Sequence, residues 1–304
     1  MSNPSQYLQG ADLANFGVPN ATVDQITQAS LIIDSYCNRP EGLLYTTDAG
    51  GLPCYMSTLN PSSTFTSVGS IAAGASVSIP VNGPFNIIQV GQYAVFDRSD
   101  TGETEGATVI SSSTNPNTLI FDNLKYAHSA GCTIEFGMGI FEEIQMPTNR
   151  PITNFSRTPI ANVLSGQGRY GYGRVGNSYS NPINQYNLLA AVLTFGGPPI
   201  WETFEVSNFG VDPNTGQVWI PAGILLAYYD EIRVNYISGF QYSNLPAIIK
   251  QACANIINAL VKNPFSGNVK SYRAGDTQIE RFGATYIDAD TKTMISKYRV
   301  NSFY

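Results

Sequence analysis

The sequence predicts an α+β chain: a helical bundle made from its N- and C-terminal segments, with β-barrel or β-sandwich modules inserted between them. Apolar residues recur at helical spacing over 22–38 and again over 245–261. From Pro53 to about Gly239 the period becomes alternating, interrupted by Gly, Asn, Pro and Asp. The stripe of the second helix is wide and needs a partner, which the first can supply. The organisation expected is a helical core from 1–44 and 245–304, a small β-barrel at 65–137 and a second β-rich module at 138–244.

Each element has its own reason. In "TVDQITQASLIIDSYCNRP", Thr22 and Gln25 make a capping-box pattern, and Val23, Ile26, Ala29 or Ser30, Ile33 and Cys37 share a face until Asn38 and Pro40 stop the helix. Before it, "SQYLQGADLANFGVP" suits a short helix with Leu8, Leu13 and Phe16 turned inward. "ASVSIPV", "FNIIQVGQYAVFD", "GATVISSS", "NTLIFDNL" and "CTIEFG" read as strands of the barrel. "FEEIQMP", "PITNFSRTPI", "LLAAVLTFG", "TFEVSNFGV", "QVWIP" and "EIRVNYISGF" read as strands of the second module, with "DPNTG" as a hairpin loop. In "NLPAIIKQACANIINALVKNP", Asn244 is the expected cap and Pro246 fits the first turn, while Asp288 or Asp290 caps a last helix, "ADTKTMISKYRV".

A chain of 304 residues with 43% hydrophobic content can bury a large core. Only 12% of it is charged, while Tyr (18) and Phe (15) are plentiful, which suits a surface packed against neighbours and equally suits an ordinary β-rich surface. The net charge of −6 argues against a general nucleic-acid binder. Residues 245–304 hold eight Lys or Arg against four Asp or Glu, so the remainder carries −10. No signal peptide or long apolar run is present, so a soluble protein made in the cytoplasm is expected. The scattered Cys37, Cys54, Cys132 and Cys253 are expected to be reduced and buried.

No motif carries a catalytic reading. Gly166, Gly168 and Gly171 fit G-x-G-x-x-G, but no helix follows to receive a pyrophosphate. The segment 166–182 is read as a long mobile hairpin loop, either an interface with Arg169, Tyr170, Tyr172 and Arg174 as contact residues or a solvated loop. The single histidine, His128, is expected to pack or hydrogen-bond in a turn, and "DRSDTGETE" to be a solvated hairpin tip. No metal or cofactor is expected. Paired carboxylates for glycoside hydrolysis would have to come from Glu142 or Glu143 with Glu202 or Glu205.

At "VDPNTGQVWIPAGILLAYYDEIRVNYISGFQYSNLPAIIKQACANIINAL" the order of parts resembles the head-tail adaptor (connector) proteins of tailed bacteriophages. A strand like "VNYISGF" is followed by "LP", a helix of the "IKQA" type, a Gly275–Asp276 turn and a last "DADTK…YR" helix. "DLANFGVP…VDQITQASLIIDSYCNR" is similar to the family's opening helix pair. The match covers about the first 44 and last 90 residues, and the long β-rich middle departs from the family's pattern. The resemblance implies a virion neck protein: a dodecameric ring between portal and tail or nozzle proteins, with DNA passing through its lumen without sequence-specific binding and no membrane partner. It also implies portal docking through the C-terminal segment, where Lys270, Tyr272, Arg273, Tyr298, Arg299, Phe303 and Tyr304 are the candidate contacts, with "NVKSYRAGD" on a loop. Two other classes stay open, a tail-associated carbohydrate-binding β protein using exposed aromatics such as Trp201 and Trp219, and a polysaccharide-cleaving enzyme.

Overall fold

The structure, a computed structural model, describes residues 6–48, 51–55, 63–83, 88, 90–99, 102–114, 116–147, 151–169, 201–220, 229–262, 271–274, 277–280 and 286–300. It corrects the expected fold class. Among the described residues the structure is mostly β, with 39% strand against 23% helix, and is built around a six-stranded barrel with four small helices rather than on a helical bundle. The helical pattern is the strongest periodicity in the sequence, but it is short, and the many weak strand signals add up to more structure. The chain divides into two compact units, Thr46–Tyr55 with Asn60–Gly239, and Met1–Tyr45 with Met56–Leu59 and Phe240–Tyr304.

In the larger unit, β1 (Thr46–Thr47) and β2 (Pro53–Cys54) form a short ladder. The next six strands are β3 (Ser63–Ser67), β4 (Gly74–Asn82), β5 (Tyr93–Phe96), β6 (Glu105–Thr114), β7 (Asn117–Leu124) and β8 (Thr133–Phe136). They close in the order β3-β4-β7-β6-β5-β8, antiparallel throughout. Closure removes free sheet edges and lets alternate residues fill the interior. Phe65, Ile79, Val81, Phe96, Val109, Leu119, Phe121, Ile134 and Phe136 form that filling. Phe96 meets Phe121 edge-on at 4.9 Å, and Phe65 meets Phe136 at 5.6 Å. Gly83 sits at φ 159°, and a Cβ there would fall 2.4 Å from the Phe65 ring.

The same unit continues with β9 (Ile140–Gln145), β10 (Ile152–Asn154), β11 (Ile160–Arg169), β12 (Glu202–Phe204), β13 (Gly210–Val211), β14 (Gln217–Trp219) and β15 (Glu231–Ser238). They make a four-stranded sheet, β12-β11-β15-β9, and a three-stranded one, β10-β14-β13. The hairpin between β13 and β14 closes through Asp212, whose carboxylate accepts from Asn214 N–H and the Thr215 hydroxyl, and Gly216 takes the positive φ of 73°. Central strand β15 is covered on both faces, as its run of buried residues requires. Ile232, Val234 and Tyr236 enter the sheet's own core, while Arg233 reaches Asp122 on β7.

The smaller unit contains α1 (Asp12–Asn15), α2 (Val23–Cys37), α3 (Ala247–Lys262), α4 (Ala289–Ile295) and a hairpin of β16 (Ser271–Ala274) with β17 (Thr277–Glu280). The capping box of α2 is complete: Thr22 Oγ1 accepts from Gln25 N–H at 3.3 Å, and Gln25 Oε1 accepts from Thr22 N–H at 2.9 Å. Asn38 ends that helix in the left-handed region. Asn244 is not the cap expected for α3; it lies in a 3-10 turn, and the Pro246 carbonyl accepts the first bonds, from Ile249 and Lys250. Asp288 caps α4, accepting from Thr291 N–H at 2.7 Å. Ile26, Ala29, Ile33 and Cys37 of α2 share one core with Ile249, Ala252, Cys253 and Ile256 of α3 and with Ile295 and Tyr298.

That core also holds polar groups. The Tyr7 hydroxyl donates to the buried Asp34 carboxylate and accepts from Leu43 N–H at 2.8 Å, while Tyr7 N–H donates to Ser30 Oγ. Burial pushes the Asp34 carboxyl up to about 7, more than the Tyr7 hydrogen bond and nearby Arg39 pull it down. The folded state therefore holds this proton more tightly than the unfolded chain does. The stability it confers is full below the ordinary carboxylate range and falls as pH rises through about 7. Denaturant unfolding from about pH 4 to about pH 8 should show that decline in the native protein, and Asp34→Asn, which keeps the acceptor for Tyr7, should reduce it.

Candidate functional site

The most concentrated polar chemistry lies at one end of the barrel. Asp97 follows β5 with φ at 42°, Glu105 opens β6, and His128 sits in the connection from β7 to β8. A two-way backbone bridge to Ile71 holds His128 in place. Its Nδ1 lies 2.8 Å from Asp97 Oδ2 and its Nε2 3.0 Å from Glu105 Oε1. His128 and Glu105 are buried, and the Phe96 ring stacks on the imidazole at 5.4 Å. Glu105 also accepts from Lys125 N–H at 2.7 Å and Tyr126 N–H at 2.8 Å, and Asp97 Oδ1 accepts from Thr133 N–H at 3.2 Å. The sequence reading of "DRSDTGETE" as a solvated tip is corrected here, because its first and last carboxylates turn into the barrel end.

A neutral imidazole has one N–H and one lone pair, so it can satisfy only one of two carboxylates. Both nitrogens lie in hydrogen-bond contact with carboxylates, an arrangement that an imidazolium satisfies by donating to each. Burial lowers the His128 pKa, but hydrogen bonds and charge from Glu105 and Asp97 outweigh it and hold the pKa above the ordinary value.

Cys132 adds a sulfur within 4.8 Å of the Asp97 and His128 donor atoms. A tetrahedral ion with ligands at roughly 2.0 Å would set nitrogen and oxygen roughly 3.3 Å apart. The 2.8 Å contact between them is a hydrogen bond instead. Burial also pushes the Cys132 thiol well up, away from the thiolate a metal needs.

A second cluster joins β7, β11 and β15. Arg233 Nε donates to Gln167 Oε1 at 2.5 Å and its guanidinium pairs with Asp122. Gln167 Nε2 donates to the Gly106 carbonyl at 2.8 Å and to Thr203 Oγ1 at 3.1 Å. The Trp201 ring has two guanidinium neighbours, Arg169 and Arg233, each 4.5 Å from its centre. Arg169, expected as a contact residue on a loop, is in β11 and bound to Glu231. Its proposed companions Tyr170, Tyr172 and Arg174 lie outside the described residues, as does the run "LLAAVLTFG".

Among the expected C-terminal contacts, Tyr298 is buried, edge-on to Phe240 at 5.7 Å. Arg299 is exposed, with its guanidinium 5.5 Å from the Tyr36 ring. Tyr272 and Arg273, expected on a loop, stand in β16 opposite Ile279 and Gln278. Lys270, Phe303 and Tyr304 lie outside the described residues. Of the carboxylates considered for glycoside hydrolysis, Glu142 and Glu143 are on β9 and Glu202 is on β12, the two edges of one four-stranded sheet. Three strand spacings put those backbones roughly 14 Å apart, against roughly 5–9.5 Å between the carboxyl groups of such enzymes. Glu142 is instead held by the Tyr236 hydroxyl at 2.6 Å.

Searched against models of protein families and against curated proteins, the sequence has no significant match.

Gly166 and Gly168, two of the three glycines of the rejected phosphate-loop pattern, have a packing role. A Cβ on Gly168 would lie 2.4 Å from the Tyr229 ring, and one on Gly166 would lie 2.6 Å from Phe204. Both rings are buried over β11. Gly168→Ala should lower unfolding free energy by about 1–3 kcal/mol, the usual cost of overpacking, read as a drop in denaturant midpoint.

Proposed function

We propose that this protein is a structural subunit of a tailed-phage virion, a head-tail adaptor that forms a ring in the neck between portal and tail proteins. One observation carries this reading. The N-terminal stretch that bears the resemblance to adaptors and the part of the C-terminal one from Phe240 onward, separated by roughly two hundred residues, belong to one compact unit, Met1–Tyr45 with Phe240–Tyr304, while residues 211–239 of the resemblance belong to the other unit. Within it α2 and α3 share a core, Leu44 bridges in parallel to Phe240, and Val300 N–H donates to the Cys37 carbonyl at 2.9 Å. The terminal segments thus act as one piece, as a docking module of a ring subunit must.

In this reading the ring is dodecameric and DNA passes through its lumen. The −10 carried outside residues 245–304 supports such a conduit, because a lining that repels phosphate does not trap the strand. The basic C-terminal segment docks on the portal. Tyr298 serves the core, so the anchors offered to the portal are Arg299, Arg273 and Lys270 with the last aromatic residues.

A second reading has one observation in its favour. Trp219 is 47% exposed and sits directly across the ladder from Ile152, 40% exposed, an apolar platform on which a sugar ring can stack. A glycan array with native protein and Trp219→Ala tests it. Glycan binding lost in the variant favours a carbohydrate-binding tail protein.

For the adaptor, light scattering of the free protein should show a monomer, and electron microscopy of its mixture with the portal should show a ring on the portal face. Deleting residues 301–304, which spares buried Val300, and separately replacing Arg273 and Arg299 with Ala should each weaken portal association about tenfold or more at unchanged circular dichroism. If binding survives these changes and is lost on trimming 170–182, the polarity of the adaptor is the reverse.

A further inference from the structure

We propose that His128 is an imidazolium latch fastening one end of the barrel, and that removing this single proton at alkaline pH releases that end. The geometry makes the ring a junction. The backbone of His128 pairs with Ile71 in the connection from β3 to β4, while the ring itself joins Asp97 at the end of β5 to Glu105 at the start of β6. Through Asp97 Oδ1 it is tied to Thr133 on β8, and through Glu105 to Lys125 and Tyr126 beyond β7. Four points of the barrel end, at the close of β5, the start of β6, beyond β7 and on β8, therefore depend on one ring held between two carboxylates.

Among the described residues, the charges around the ring leave it as the cation of this cluster. Arg98, adjacent to Asp97, is committed elsewhere, its Nε donating to Glu135 at 2.6 Å, a terminal nitrogen to the Pro53 carbonyl at 2.8 Å and the other to Asp48. Lys125 places its ammonium 5.0 Å from the centre of the Tyr126 ring. The Cys132 thiol, the remaining titratable group of the cluster, is neutral. Without the proton, one ring lone pair faces a carboxylate and the cluster holds two negative charges with no cation between them. Glu105 is fully buried and keeps two backbone N–H donors, so it stays. The Asp97 side chain is 22% exposed and is the arm that leaves, carrying the turn between β5 and β6 with it.

The sign follows from the geometry. Folding favours the charged ring, so the latch's stability is full below the free imidazole pKa of ~6.5 and is lost as pH rises through the higher midpoint of the folded protein. His128 is the only histidine in the chain, so ¹⁵N NMR of labelled intact protein reads this ring without assignment. The native ring should stay doubly protonated above the free imidazole pKa of ~6.5, and Asp97→Asn should bring the midpoint down. In the Asp34→Asn background, which removes the buried carboxyl's own decline through about 7, stability should still fall across that midpoint, while adding His128→Gln should lower stability at low pH and leave it flat through the window. If His128→Gln does not fold, the native and Asp97→Asn titrations still decide. A neutral single tautomer at pH 7, or a midpoint that Asp97→Asn does not move, would overturn the latch. So would a stoichiometric shift of Nδ1 on adding Zn²⁺, which would make the cluster a metal site.

Discussion

Burial of two helical faces that lie far apart in the sequence is the constraint on which the smaller unit depends. Tyr7, Leu8, Val18 and Leu43 supply part of the α2 core from nearby in the chain, and α3, after the whole β-rich middle, completes it. The separation is less costly than it looks. Loop-closure entropy grows with the logarithm of length, so lengthening the connection from ten residues to nearly two hundred adds only about 3 kcal/mol. One fully buried isoleucine contributes about 1.5–3 kcal/mol, and Ile26, Ile33, Ile249 and Ile256 are all fully or nearly fully buried here. Two such side chains offset the closure, which explains why so large an insertion is tolerated at that point.

Local signals in the sequence were legible where a few neighbouring residues decide the outcome. The capping box at Thr22 and Gln25, the stop at Asn38, the Asp288 cap and the Asp212–Gly216 turn all depend on side chain to backbone bonds within four residues. The balance between helix and sheet was misjudged because several strands have almost no apolar pattern. β3 reads Ser-Thr-Phe-Thr-Ser with one inward aromatic, and β16 and β17 are four polar-rich residues each. Their pairing is set by partners elsewhere in the chain, which no local window contains. Asn244 was misassigned for a related reason: a Pro carbonyl can open a helix as well as a polar side chain can cap it.

The barrel-end cluster was not legible at all. Its members stand at 97, 105, 128 and 132, a spacing with no helical, strand or metal-ligand period, and only closure of β5 against β8 brings them together. The one available hint was the presence of a single histidine beside a carboxylate-rich run, which composition favours reading as surface. Gly166 and Gly168 misled in the opposite direction. A glycine pattern suggests a loop open to a ligand, whereas here both residues make room for rings that cover a strand.

The bond from Val300 N–H to the Cys37 carbonyl has a consequence for biosynthesis. The barrel and its neighbouring sheets are complete in the nascent chain once Gly239 has emerged, but the first 45 residues must wait for the last 65. At about 5–20 residues per second, α2 leaves the ribosome roughly 10–40 s before α3. Throughout that interval the part of its apolar face that α3 covers is open on a chain that is otherwise folding. On a polysome the nearest α3 belongs to a leading chain, so crowded synthesis favours exchange of terminal segments between copies, and dilute synthesis favours the closed unit described above.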